Sequence, residues 1–222
     1  LLKLIDKESA HHSRSMGTGE GIISAVWSPS GDSIATGSEN TTVKVWDAET
    51  GQRLLVIRGD NSIVRSIAYS PDGRQLVTGG EDGIVKVWDI RTGKNPLTLT
   101  GHNDDIWCVG WSPREQKILT ASSDRTVRVW DSQTGSPLFS LKHDSPIYSA
   151  AYSPDGRQIL TAGGGVIDQP RESDNSIRVW DAQTGQQLIS HIAHDFWISS
   201  AKWSSTGQDI LTASGDWTAK IL

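Results

Sequence analysis

Histidine, threonine and aspartate recur in this chain at matched spacing: His102, Thr120 and Asp124; His143, Thr161 and Asp174; His194, Thr212 and Asp216. A base, a hydroxyl and a carboxylate are the parts of a nucleophilic hydrolase site. A catalytic triad occurs once, at a cleft. This set returns in phase with everything around it. Recurrence assigns it to structure, and no catalytic residue is expected.

Other chemistry is thinner. His11-His12 is the one adjacent histidine pair, but a metal needs three or four converging ligands. A solvated loop is the reading, and no metal and no cofactor are expected. The run Gly163-Gly164-Gly165 is followed by neither a helix-forming segment nor Gly-Lys-Ser/Thr, so it is not a phosphate loop. Cys108 lies in an apolar strand with no helix terminus to lower its pKa, which makes it an inert thiol.

Composition narrows the class. The chain has 222 residues and a net charge of −5. That balance argues against direct nucleic-acid binding, which needs a basic face. One cysteine excludes an intrachain disulfide. No apolar run reaches the roughly 18 residues of a membrane span, and no signal peptide is evident, so the chain is expected in the cytoplasm, or the nucleus of a eukaryote, and not secreted. The absence of an initiator Met points to flanking domains in a longer product.

Ten tryptophans stand against two Phe and three Tyr, and they are periodic. Trp-Asp occurs at Trp46, Trp88, Trp130 and Trp180, with steps of 42, 42 and 50; a further step of 42 lands on Leu222. Each copy holds an apolar segment ending in an aromatic (Trp27, Tyr69, Trp111, Tyr152, Trp203). A turn such as Ser-Pro-Asp-Gly (70–73) follows, then a short strand, a second turn and an alternating strand such as Thr126 to Trp130. Pro presets φ and Gly supplies positive φ, so the turns have a mechanism. Thr-Gly turns lead into a fourth strand. Four short strands per repeat make a propeller blade.

These motifs resemble the WD-repeat (WD40) β-propeller family over residues 17–222. The resemblance implies an all-β propeller of four-stranded antiparallel blades, with blades at about 17–58, 59–100, 101–141, 142–192 and 193–222. Residues 1–5 look like a fourth strand, so 1–16 reads as an outer strand plus linker that closes the last blade. Either a closed five-blade ring or part of a larger ring, such as seven blades, fits that phase. The resemblance also turns the His-Thr-Asp sets into relays: Asp holds His, His reaches Thr, and Thr reaches the Trp N–H. His102, Thr120, Asp124 and Trp130 form one set, and His143, Thr161, Asp174 and Trp180 another. His194, Thr212 and Asp216 form a third, with Leu222 for Trp. Repeat two has Asp60 in the histidine position, with Thr78, Asp82 and Trp88; repeat one has Thr18 and Asn40. These two blades are expected to be less rigid.

Strand one of each repeat is apolar at positions three apart, as at Ile106 and Val109, where a strict strand steps by two. A bulge is therefore predicted near its start, re-aiming a side chain toward the rim. In the family this is the usual peptide-binding face. Three tryptophans outside the repeated core positions, Trp107, Trp197 and Trp217, map to this rim with Tyr148, Phe196, Ile63, Arg65, Asp105, Glu39 and Glu81. Exposed aromatics are enriched as interface anchors. The function expected is a non-catalytic scaffold that binds a protein or peptide there, with no membrane partner. Two alternatives stay open: a sensor or regulatory repeat domain of a larger signalling protein, and an aromatic cage for a modified cationic side chain. The excess between Trp130 and Trp180 falls at Gly163 to Ser173, whose content reads as a mobile loop on the same rim.

Overall fold

The computed structural model describes residues 2–5, 13–58, 62–95, 97–165 and 174–222, all in strands, turns and loops without a helix. Consequently no helix there is long and apolar enough to cross a membrane. Five antiparallel sheets follow one another in chain order. The first is β3 (Ile22–Trp27), β4 (Ser33–Ser38), β5 (Thr42–Asp47) and β6 (Arg53–Arg58). The second is β7 (Val64–Tyr69), β8 (Gln75–Gly80), β9 (Val85–Asp89) and β10 (Leu97–Leu99). Then come β11 (Ile106–Trp111), β12 (Lys117–Ser122), β13 (Thr126–Asp131) and β14 (Pro137–Lys142). The fourth holds β15 (Ile147–Tyr152), β16 (Gln158–Gly163), β17 (Ser176–Asp181) and β18 (Gln187–Ile192). The fifth has three strands, β19 (Ile198–Trp203), β20 (Ile210–Ser214) and β21 (Ala219–Ile221).

The sheets are blades of a propeller. Their inner strands β3, β7, β11, β15 and β19 are neighbours in that order, and the arc is open. The four larger apolar clusters lie between blades rather than within them. Leu119, Val127, Val129 and Leu141 of the third blade pack with Ile147, Ile159 and Trp180 of the fourth. Trp88 likewise packs on the first blade and Trp130 on the second. Trp88, Trp130 and Trp180 are thus wedges driven into the preceding blade. Strand β3 packs on no earlier blade among the described residues, and its burial alternates between half-buried and exposed.

The turns follow the sequence chemistry. In the Ser-Pro-Asp-Gly turn, Gly73 takes φ +70°, and Ser70 Oγ donates to Asp72 Oδ1 at 2.6 Å while accepting the Gln75 N–H at 2.9 Å. The Asp of each Trp-Asp pair clamps the next turn: Thr92 N–H and Oγ1–H both donate to Asp89 Oδ1, at 2.7 and 2.8 Å.

One expectation meets a different pairing. Leu2–Ile5 (β1) pairs with Ser13–Met16 (β2) in a sheet of its own, with Leu2 opposite Met16. It does not supply a fourth strand beside β21. Leu and Ile in β1 match the outer-strand pattern in composition, but the nearby Ser13–Met16 offers a ladder at a much shorter loop-closure cost.

Candidate functional site

The predicted bulge is present in all five blades. Register shifts fall between Ile22 and Ser24, Val64 and Ser66, Ile106 and Cys108, Ile147 and Ser149, and Ile198 and Ser200. The residue left out of the ladder each time is Ile23, Arg65, Trp107, Tyr148 or Ser199. A bulged residue has no cross-strand partner and its side chain is re-aimed.

Three of these residues form a continuous row across neighbouring blades. The Arg65 guanidinium lies 4.3 Å from the centroid of the Trp107 ring. Trp107 meets Tyr148 edge to face at 5.3 Å, and Tyr148 meets Trp197 in the same way at 5.9 Å. All four residues are half-buried. Trp107 is fixed by its indole N–H, which donates to Ser123 Oγ at 2.7 Å. Trp197 and Phe196 lie against Gly215, where an added Cβ would meet both rings closer than 3.0 Å. Arg65 is gripped by carboxylates from two blades: Nη2 stands 2.5 Å from Glu81 Oε1 and 3.3 Å from Asp105 Oδ2. Burial raises the Asp105 pKa; Arg65 opposes this, while Glu81 and Asp104 reinforce it.

The remaining rim candidates do not join the row. Ile63 is half-buried in the loop before β7, and Glu39 is exposed in the first blade beside Gly21. Trp217 is 97% exposed, sits at φ +68°, and makes no ring contact among the described residues. Its turn position is that of Gly83 in the second blade, which has the same φ.

The relay residues also divide. In the third blade His102 Nδ1 lies 2.8 Å from Asp124 Oδ2 and Nε2 lies 2.7 Å from Thr120 Oγ1. The Trp130 indole N–H donates to that same hydroxyl at 2.9 Å. A neutral imidazole protonated on Nδ1 satisfies the whole series, with the threonine donating to Nε2. In the fifth blade His194 stands 2.7 Å from Asp216 and 2.8 Å from Thr212. Burial acts to raise both carboxyl pKa values, but bonds from histidine, threonine and backbone N–H outweigh it and hold Asp124 and Asp216 well below the usual range.

The fourth blade departs from the expected relay. Trp180 still donates to Thr161 Oγ1, at 2.8 Å. Asp174, however, pairs with Arg178 and accepts from Ser176 Oγ at 2.5 Å, and His143 Nε2 is buried without a partner among the described residues. The cause is local. A cation stands at this third-strand position in every blade: Lys44, Lys86, Arg128, Arg178 and Lys220. Only Arg178 combines the long planar guanidinium with an acid after the histidine, Asp144, whose carboxylate lies 3.2 Å from Nη2. Asn103 takes that place in the third blade, and the fifth has Asp195 but a lysine. Arg178 pairs with both Asp144 and Asp174, and Asp174 makes no bond to His143 among the described residues. Burial and the Arg178 charge then push the His143 pKa down to about 4.

In the first two blades the Trp–Thr link persists, with Trp46 on Thr36 at 3.0 Å and Trp88 on Thr78 at 2.9 Å. Where the first blade lacks histidine, Lys44 Nζ–H donates to the Thr18 carbonyl at 2.7 Å and pairs with Glu20. Asp82 accepts the Ile84 N–H at 3.1 Å. His11, His12, Asp60 and residues 166–173 of the insertion lie outside the described residues.

No other candidate gathers chemistry. Among the described residues, no group of three or more His, Cys, Asp or Glu could hold a metal ion. Cys108 is a free thiol whose pKa is pushed up by burial, with Sγ directed at the Ala150 carbonyl. A cleft of about 550 Å³ opens at the opposite end of the blades, lined by Ser70, Asp72, Arg74, Trp111 and Glu115 among others, and its Ser70–Asp72 hydrogen bond is the one that closes the Ser-Pro-Asp-Gly turn.

Comparison with known proteins agrees with this architecture. The family model described as nucleolar protein 10-like, N-terminal domain, matches residues 8–167, and that for the WD domain, G-beta repeat, matches residues 185–221. No curated protein matches the chain. With blades, wedging tryptophans and both matches in agreement, the chain belongs to the WD-repeat β-propellers, within the family of nucleolar protein 10-like N-terminal domains.

Proposed function

We propose that this chain is a non-catalytic scaffold that binds a protein segment on the rim where the inner strands begin, with Trp107, Tyr148 and Trp197 as its anchors. WD-repeat propellers are in general interaction scaffolds of this kind. The observation that carries the reading is the row of bulged side chains: three blades contribute a residue the ladder does not use, and a fourth adds Trp197. Half-buried aromatics backed by fixed partners lose little freedom on binding, which is what an anchor requires. The row does not enclose a point. Its rings meet edge to face, at 80° and 69°, so it favours a segment lying across blades over a cage around one cation. The family's name carries the word nucleolar, and a nuclear site of action belongs to this proposal in preference to a cytoplasmic one.

The test is affinity capture from a cell extract with the wild-type chain and a Trp107→Ala/Trp197→Ala variant shown to be folded by circular dichroism. A partner held by the first and lost by the second supports the rim site. Equal capture by both moves the site to another face.

A further inference from the structure

Arg65 is an odd occupant of the row. It belongs to no relay and no apolar cluster, yet its guanidinium has charged and aromatic partners. Two carboxylates from adjacent blades, Glu81 and Asp105, meet its Nη2, and the face of Trp107 lies under its Cζ. Its Nη2 thus carries both carboxylate contacts above a π face, while its Nε is buried with no hydrogen-bond partner among the described residues. The side chains remain open to solvent, at 23% for Arg65, 40% for Glu81 and 27% for Asp105. The local charge is unbalanced as well. Asp104 adds a third carboxylate beside this one guanidinium, and Asp82 an exposed fourth in the turn after Glu81.

We propose that Glu81, Asp105 and Trp107 form a guanidinium seat, filled in the free chain by its own Arg65, and that the partner is a basic segment whose arginine takes this seat. This rests on the rim reading above and names the chemistry of its ligand. Exchange needs only rotation of the Arg65 side chain off Trp107, since its backbone is already outside the ladder at the bulge. Surplus negative charge favours an incoming cation. An indole face beside two carboxylates favours arginine over lysine, whose compact ammonium can neither spread over a ring nor bond in one plane. Arg65 is therefore an internal competitor, and its removal strengthens binding.

The experiment titrates folded wild-type, Arg65→Ala and Arg65→Ala/Glu81→Gln/Asp105→Asn chains with three capped pentapeptides. Each is Gly-Gly-X-Gly-Gly, with X as Arg, Lys or Glu, and binding is followed by the indole N–H resonances. The result expected is that Arg65→Ala binds the arginine peptide about tenfold more tightly than wild type, moving the Trp107 signal. The lysine peptide binds more weakly, the glutamate peptide does not bind, and the triple variant loses the site. If Arg65→Ala fails to fold, Arg65→Met keeps the apolar stem and empties the seat in the same way. An arginine peptide that binds the vacated seat no better than wild type, or no better than lysine, overturns the proposal. That result leaves the scaffold reading standing wherever capture still depends on Trp107 and Trp197, so the two fail separately.

Discussion

The Asp174 carboxylate pairs with Arg178, while its counterparts Asp124 and Asp216 hold His102 and His194. One carboxylate thus serves two different networks in blades of nearly the same sequence. His143 keeps its place against Trp180, with ring centroids 5.4 Å apart, but its Nε2 has lost its use as an acceptor.

Stability should fall with pH through His143. An unfolded histidine takes up its proton near 6.5, while folded His143 stays neutral down to about 4. Between these values the unfolded chain binds a proton that the folded chain excludes. The stability from neutral His143 is full above 6.5 and is lost as pH falls through 4. The loss amounts to at most about 3 kcal/mol. Urea unfolding across that range should show this slope in wild type and not in His143→Gln. Parallel slopes would assign it to other groups.

Asp144→Asn should restore the relay. Asp144 is 85% exposed, so its loss opens no cavity, but it releases Arg178 from the turn. Asp174 then returns to His143, and the His143 pKa rises from about 4. Imidazole nitrogen shifts followed against pH read this directly. An unmoved titration would clear Asp144 as the cause.

Asp124→Ala should destabilise the chain by about 1–3 kcal/mol, since it takes the charged acceptor from the buried His102 Nδ1–H and leaves it only Thr126 Oγ1 at 3.3 Å. Thermal melting is sufficient to see it. An unchanged melting temperature would remove the relay from the forces that hold the third blade.

Trp130→Ala should cost about 3–5 kcal/mol, as a buried tryptophan joining two blades is lost. Among the described residues, Trp46 has only Ile34 and partly buried Ala48 in its cluster and wedges into no other blade. Trp46→Ala should therefore cost less, and chemical denaturation of the two variants compares them.

Trp217→Gly should not lower stability. The residue is 97% exposed and held at φ +68°, where an L side chain costs about 1–2 kcal/mol. Glycine removes that strain at an entropic cost of about 0.5–1 kcal/mol. A clear loss of stability would mean that the indole packs on something within the chain.

Much of this architecture was legible because it is local and repeated. The step of three between Ile106 and Val109 announced the bulge, and Thr–Trp spacing announced the link that every complete blade keeps. The failures are relations between neighbours the repeat does not encode. Nothing in the phase of His143 reveals that Arg178 will pair with both Asp144 and Asp174, since each residue is ordinary in its own column. Arg65 and Trp107 occupy the same column in different blades, and only the packing of β7 on β11 lays one on the other. Trp217 was grouped with Trp107 and Trp197 by elimination, yet its place in a left-handed turn holds it apart from them.

The bulge gives this fold a free variable. Ladder and core constrain the residues on either side of it, but the skipped position is excused from both, and here it reads Ile, Arg, Trp, Tyr and Ser from blade to blade. Five side chains of unlike chemistry are displayed on one scaffold, one from each blade. Selection can rewrite them singly without renegotiating the fold, much as type is reset in a fixed frame.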